Sequence, residues 1–240
     1  LASDNIYDKN LQFNYYMQWI LMGLIVFGGL GYHIAANIIQ YFKKFIINIF
    51  RKQDERMFIS RVINLNTKIV LYTTIILIVA GAVFFLFSEQ QTVLLSHPTA
   101  FGKFTTAMFS SVTSRTAGFN TVDMAHFTIP GILFMIFLIW IGASPASTGG
   151  GIKTSTFALA TLNVFSIARN KKYIEIGTRR IAAEAVQRAF AIISISLAAV
   201  GMGILLLLIF NPEFSLLQIA FEAFSAIGTV GLSMGITAKL

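Results

Sequence analysis

Residues 69–87, IVLYTTIILIVAGAVFFLF, run for nineteen positions without a charge, and residues 189–210 do so for twenty-two. At ~1.5 Å per residue, helices of this length cross a hydrocarbon core of roughly 30 Å, and that requirement dominates what the chain is free to become. A third apolar stretch, residues 14–42, opens on Tyr15, Tyr16 and Trp19 and closes on Lys43 and Lys44, the aromatic and basic anchors of a membrane interface. It is expected to form one spanning helix. Charged residues make up only 12% of the chain, about half of what a soluble domain carries, so a charged outer shell cannot be built.

The net charge of +8 raises the question of nucleic acid, but its placement points elsewhere. Thirteen of the eighteen Lys and Arg residues fall within 43–68 and 169–188, between apolar spans. Basic loops of this kind are cytoplasmic by the positive-inside rule, and no nucleic-acid role is expected. With no cysteine, and with His33, His97 and His126 scattered, the chain offers neither a thiolate site nor metal-ligand spacing. It opens on Leu1 without a signal-peptide pattern, and the expectation is a piece of a longer protein.

Two shorter segments break the pattern. Residues 104–114, FTTAMFSSVTS, suit a helix but are too short to cross, and carry Thr105, Thr106, Ser110, Ser111 and Thr113 without a charge. They read as a re-entrant half-helix whose polar groups are satisfied by protein or by a water-filled cavity. A similar segment, 214–228, follows the last span. After each comes a glycine-centred loop, TAGFN at 116–120 and TVGLS at 229–233. The apolar run 129–141 is interrupted by GASPASTGGG at 142–151 before apolar character resumes. Pro145 and three consecutive glycines do not sustain a helix, so this span is expected to be broken mid-membrane. The order of spanning helix, half-helix, loop and spanning helix is complete once and begins again at residue 189.

A half-helix followed by a Thr-x-Gly loop is a way to build a cation filter, because backbone carbonyls can replace an ion's hydration shell. Glycine permits the positive φ that such a loop needs. A single Thr-x-Gly is common by chance, whereas two copies in the same context are informative. The plainer alternative is that Gly118 and Gly231 merely end the short helices as C′ residues.

SSVTSRTAGFNT, GASPASTGGGIKTSTF and AIGTVGLS, in this order, resemble the bacterial TrkH/KtrB/TrkG potassium transporters over nearly the whole chain. That resemblance implies an all-α polytopic membrane protein of M1–P–M2 repeats, with re-entrant pore half-helices, filter loops and one transmembrane helix broken mid-membrane. It assigns 1–45 to an outer segment and the closing helix of an earlier repeat, and 69–168 to a complete repeat. Residues 189–240 become the M1–P part of the next, with 46–68 and 169–188 as basic cytoplasmic loops. Thr116, Ala117, Gly118 and Phe119 would line one quadrant of a K⁺ filter, and Thr229, Val230, Gly231 and Leu232 another. Gly142, Ser144, Pro145, Ser147, Thr148, Gly149, Gly150, Gly151 and Lys153 would form a gate loop. The same small residues also favour close helix packing, and both roles stay open. The resemblance further implies a homodimer in the bacterial inner membrane and a cytosolic nucleotide-binding ring of the TrkA/KtrA kind. K⁺ would be the transported ion, and no organic cofactor is implied.

Arg115 stands directly before the first loop, where an unpaired cation is costly; it is expected to be tied to Glu222 or Asp123. Lys153 is expected on the pore side. His33 and Asn37, one helical turn apart, are expected to hydrogen-bond a neighbouring helix rather than carry protons. Asp4, Asp8 and Glu213 read as solvated surface. No paired carboxylates or Ser/His/Asp set points to an enzyme, and GGGIKTS lacks Walker spacing. The competing class is a secondary transporter of a small solute, which would use helix N-termini at a broken helix.

Overall fold

The computed structural model describes residues 12–50, 64–171, 173–176 and 179–237. Most of the basic segment 46–68, together with Asp4 and Asp8, lies outside the described residues. Among the described residues, the regular structure is helical apart from one small hairpin. The helices are α1 (Tyr15–Leu30), α2 (Tyr32–Phe50), α3 (Leu65–Ser88), α4 (Ala100–Thr113), α5 (Ile129–Trp140), α6 (Thr154–Ala168), α7 (Ala183–Phe210) and α8 (Leu216–Ile227). The fold is that of an all-α polytopic membrane protein. The hairpin, β1 (Glu175–Ile176) with β2 (Arg179–Arg180), lies in the second basic loop. Its Arg180 pairs with Glu175 at 2.9 Å and lies 4.9 Å over the Tyr173 ring.

The first apolar stretch is not one straight span. α1 and α2 meet at Gly31, and the chain turns by 106° there. Gly31 has φ +74°, and a Cβ built on it would lie 2.9 Å from the Pro145 carbonyl oxygen. Ending α1 leaves carbonyls without helical partners, and one of them, Gly29 O, accepts from Ser144 N at 3.0 Å. The bend therefore serves the broken segment packed against it, a contact that local hydropathy does not encode.

Among the described residues, α3 and α7, at 24 and 28 residues, are the helices long and apolar enough to cross unaided. α7 buries only Ala189 and Val200, so apolar side chains face outward along its length. α3 buries a stripe of Val70, Thr74, Leu77, Ile78, Gly81, Ala82 and Phe85, at the spacing of one helix face. α4 packs closely on this stripe because Gly81 has no side chain; a Cβ there would lie 2.2 Å from Ser111 Oγ.

α4 begins four residues earlier than expected, at Ala100, where Thr99 Oγ1 accepts from Gly102 N. Its five hydroxyls all have protein partners. Ser111 donates to Ile78 O (2.8 Å), Ser110 to Thr106 O (2.9 Å) and Thr113 to Phe119 O (2.7 Å). Thr105 accepts from Trp19 Nε1 (3.2 Å), and Thr106 bonds His97 (3.1 Å). α5 starts on a buried carboxylate. Glu89 accepts from Thr128 N (3.1 Å), Thr128 Oγ1 (2.6 Å), Thr92 Oγ1 (2.5 Å) and Ser88 Oγ (3.0 Å). A negative group at a helix N-terminus is favourable, and this one ties the end of α3 to the start of α5.

His97 lies in the connection between α3 and α4, outside the spanning helices. It joins Tyr15 of α1 (3.0 Å to Nδ1) to Thr106 of α4 (3.1 Å to Nε2). Burial, and secondarily Lys103, holds its pKa below the ordinary 6.5. The unfolded chain therefore binds the extra proton in the window between the folded value and 6.5. Stability from this site is full above that window and is lost as pH falls through it. The melting temperature of the complete protein in detergent is expected to fall on going from about pH 7.5 to about pH 5.5, and His97→Gln to flatten that fall. An unchanged slope in the variant would remove His97 as the cause.

Candidate functional site

The two glycine-centred loops share an unusual backbone. Thr116 (φ +70°) and Gly118 (φ +74°) in the first match Thr229 (φ +52°) and Gly231 (φ +85°) in the second. A β-branched residue at positive φ is an outlier, worth roughly 1–3 kcal/mol of strain, and here it occurs twice at equivalent positions. The helix C-caps are Ser114 and Gly228, both right-handed. Gly118 and Gly231 thus lie beyond the caps, and the C′ alternative does not describe them. Backbone bonds hold both loops to their helices: Ala117 N to Thr113 O (3.2 Å), Thr229 N to Ala226 O (3.0 Å) and Val230 N to Ser225 O (2.9 Å).

The loops also meet each other. A Cβ on Gly118 would lie 2.1 Å from Val230 O and 3.4 Å from Gly231 Cα, whereas Gly231 has nothing within 4 Å of its own Cβ position. Each loop follows the C-terminal, partly negative end of its short helix. Positive φ at alternate residues reverses successive peptide planes, which lets several carbonyls face one side.

The broken segment, residues 141–153, packs against the threonine ends of both loops. Gly149 backs onto Thr116, whose Oγ1 would be 2.5 Å from a Cβ there. Gly150 N donates to Thr229 Oγ1 (2.7 Å), and Gly151 N to Ile227 O (3.2 Å). The ends of the segment close on one another through a parallel bridge, Ile141 to Ile152, and through Thr154 N to Ala143 O (3.2 Å). A Cβ on Gly142 would lie 1.9 Å from Gly150 O, and Gly151 takes φ +68°. Ser147 Oγ closes a local turn onto Ser144 O (2.6 Å) around the half-buried Pro145, and Thr148 is exposed. Lys153 Nζ donates to the Gly149 carbonyl, so its charge is engaged within the segment.

One expectation about charge is corrected. Arg115, 7% exposed, pairs with neither Glu222 nor Asp123; its Nη2 donates to Gly142 O at 3.3 Å. The carboxylates are committed elsewhere. Glu222 accepts from Ser233 Oγ (2.6 Å), Met234 N (3.0 Å) and Thr237 Oγ1 (2.8 Å), bracing the chain that leaves the second loop. Asp123 is exposed, caps Ala125 N (2.9 Å) and pairs with His126 (3.4 Å). Arg115 follows α4 by two residues, where the partly negative helix end offsets its charge. Asn37 accepts from Asn64 N (3.2 Å), in keeping with a hydrogen-bonding role. Glu89, His97 and Ser225 were not singled out from sequence; Glu89 alone left a signal, as a carboxylate just past an uncharged span.

Comparisons with known proteins bear on this arrangement. The family model described as "TrkH: Cation transport protein" matches residues 3–240. The chain is 35% identical over 225 residues to the Ktr system potassium uptake protein B of Vibrio alginolyticus, covering 93% of this chain and 46% of that protein. It is 32% identical over 232 residues to the potassium/sodium uptake protein NtpJ of Enterococcus hirae, covering 95% and 48%. The crystal structure of the potassium transporter TrkH from Vibrio parahaemolyticus matches with a TM-score of 0.63 at 17% identity, over 95% of this chain and 47% of that one. That last likeness concerns the fold. The chain spans about half the length of the curated relatives it matches.

The packing at Gly118 generates a stability test. Gly118→Ala places a methyl against backbone at a left-handed position and is expected to destabilise the complete protein by about 2 kcal/mol or more. Gly23→Ala, inside α1 with nothing within 4 Å of its Cβ position, should leave thermal stability unchanged or raised. Equal melting temperatures for the two variants in detergent would contradict the close approach of the loops.

Proposed function

The chain belongs to the TrkH cation transport protein family, and from that premise we propose that it contributes two quadrants of a K⁺ uptake pore. The observation that carries the reading is the paired backbone geometry at Thr116/Gly118 and Thr229/Gly231, where two short helices lead into loops with the same alternating φ. Carbonyl oxygens gathered on one axis replace an ion's hydration shell, and helix C-terminal ends favour a cation over an anion. Thr116, Ala117, Gly118, Thr229, Val230 and Gly231 supply the oxygens. K⁺ as the substrate follows the names of the relatives. Homodimerisation, a cytosolic nucleotide-binding partner and the bacterial inner membrane belong to the same proposal.

The segment 142–151 acts as the gate in this reading. It docks on the threonine ends of both loops through backbone groups, with glycines that make the fit close and add little bulk to resist withdrawal. Lys153 holds it by capping Gly149 O, and Arg115 holds its first residue. The reading as a small-solute transporter has less support. Such a site needs the cation at the start of α6 free for an anion, and Lys153 is bonded to Gly149.

The primary test is Rb⁺ uptake by the complete parent protein in a bacterium lacking its own K⁺ uptake systems, comparing wild type with Gly231→Ser. At φ +85° a serine strains the loop, and Rb⁺ affinity or K⁺/Na⁺ discrimination is expected to fall on the order of tenfold. Identical transport by both forms would end the pore reading. For the gate, Lys153→Met removes a charge-assisted bond worth about 1.5–3 kcal/mol, and uptake should rise on the order of tenfold. Unchanged uptake at equal expression would assign the segment to packing alone.

A further inference from the structure

One hydrogen bond recurs in both repeats and involves the residue that follows each left-handed glycine. Thr113 Oγ1, at the end of α4, donates to Phe119 O at 2.7 Å. Ser225 Oγ, on α8, donates to Leu232 O at 2.6 Å. Phe119 and Leu232 hold the same place in their loops, but their donors do not correspond. Thr113 precedes its loop threonine by three residues and Ser225 by four. Two different helix positions, with two different side chains, deliver a hydroxyl to the same carbonyl. Both donors are buried, at 1% and 3% exposure.

The direction of these bonds matters for what the loops can bind. The Val230 carbonyl reaches toward the neighbouring loop, within 2.1 Å of where Gly118 would carry a Cβ. Two residues later, the Leu232 carbonyl turns back to its own half-helix. The side chains follow the same division. Leu232 is buried in the main apolar core with Phe221 and Val230, and Phe119 packs against the cluster of Met22, Ile78, Phe109 and Val112. Each of these residues is thus held at both its side chain and its carbonyl by the protein behind the loop.

We propose that Thr113 and Ser225 are selectivity-determining positioning residues, which withhold the Phe119 and Leu232 carbonyls from ion coordination and end the filter at Gly118 and Gly231. This rests on the reading of the loops as an ion pathway, and it shortens the filter expected from sequence by one carbonyl per loop. Discrimination between monovalent cations depends on the number and field strength of the coordinating oxygens. An ion beyond the glycine layer keeps water on the side where a fourth carbonyl would have stood. The hydroxyls also stop the last peptide from swinging inward, so the loop presents one fixed set of oxygens.

The decisive measurement is the position of Rb⁺, by anomalous scattering, in crystals of the complete wild-type protein. Rb⁺ is expected among the carbonyls of Thr116 to Gly118 and Thr229 to Gly231, with none ligated by Phe119 O or Leu232 O. A site ligated by either of those oxygens would overturn the proposal while leaving the pathway intact. Absence of Rb⁺ from both loops would remove the pathway reading and this proposal with it. In transport, Ser225→Ala should change the Na⁺ concentration that half-inhibits Rb⁺ uptake by roughly threefold or more, the scale of one buried hydrogen bond. Ser225→Thr, which keeps the hydroxyl, should restore the wild-type value. Transport by Ser225→Ala with unaltered Na⁺ inhibition would overturn the positioning role; if that variant fails to fold, the Rb⁺ positions in wild type still decide.

Discussion

Backbone that leaves a helix inside an apolar slab has no water to bond, and each unsatisfied amide or carbonyl there costs several kcal/mol. The irregular segments of this chain answer that cost with one another. The broken segment donates to Gly29 O at the bend between α1 and α2, to Thr229 Oγ1 and to Ile227 O. Its own carbonyls at Gly142 and Gly149 accept from Arg115 and Lys153. The bend, the break and the two loops are therefore joined in one hydrogen-bonded cluster, and the helices are arranged around it.

Small residues are what make that cluster possible. Gly31, Gly118, Gly142, Gly149, Gly150 and Gly151 each stand where a Cβ would come within 3 Å of a neighbour. The strain at Thr116 and Thr229 is tolerated because backbone bonds to α4 and α8 fix each loop from behind while the broken segment presses on it from the other side. In the proposed pathway the same contact links ion site and gate, since the Thr229 hydroxyl that accepts from Gly150 lies at the edge of the filter.

The buried carboxylates are committed to hydrogen bonds within the fold. Glu89 receives four hydrogen bonds at the junction of α3 and α5, and Glu222 three in the chain beyond the second loop. Each is held by hydrogen-bond donors, with no basic partner among the described residues. Glu222 was thus not free to pair with Arg115, which relies on a carbonyl and a helix end.

Local pattern was enough for much of the architecture. Uncharged runs of the right length marked α3 and α7, clustered glycines and Pro145 marked the break, and short polar segments before Thr-x-Gly marked α4 and α8. These features follow from hydropathy and backbone conformation within a few neighbouring residues, which is what a sequence records directly. The bend at Gly31, the partner of Arg115, the clasp at Glu89 and the hydroxyls on Phe119 and Leu232 belong to the tertiary structure alone. Each depends on groups brought together only by packing, as when Gly31 meets Pro145 or Thr229 meets Gly150. For Thr113 and Ser225 the donors are not even at matching positions, so aligning the two loops does not reveal them. A hydroxyl's partner is chosen by distance and direction in three dimensions, and a chain read in order carries neither.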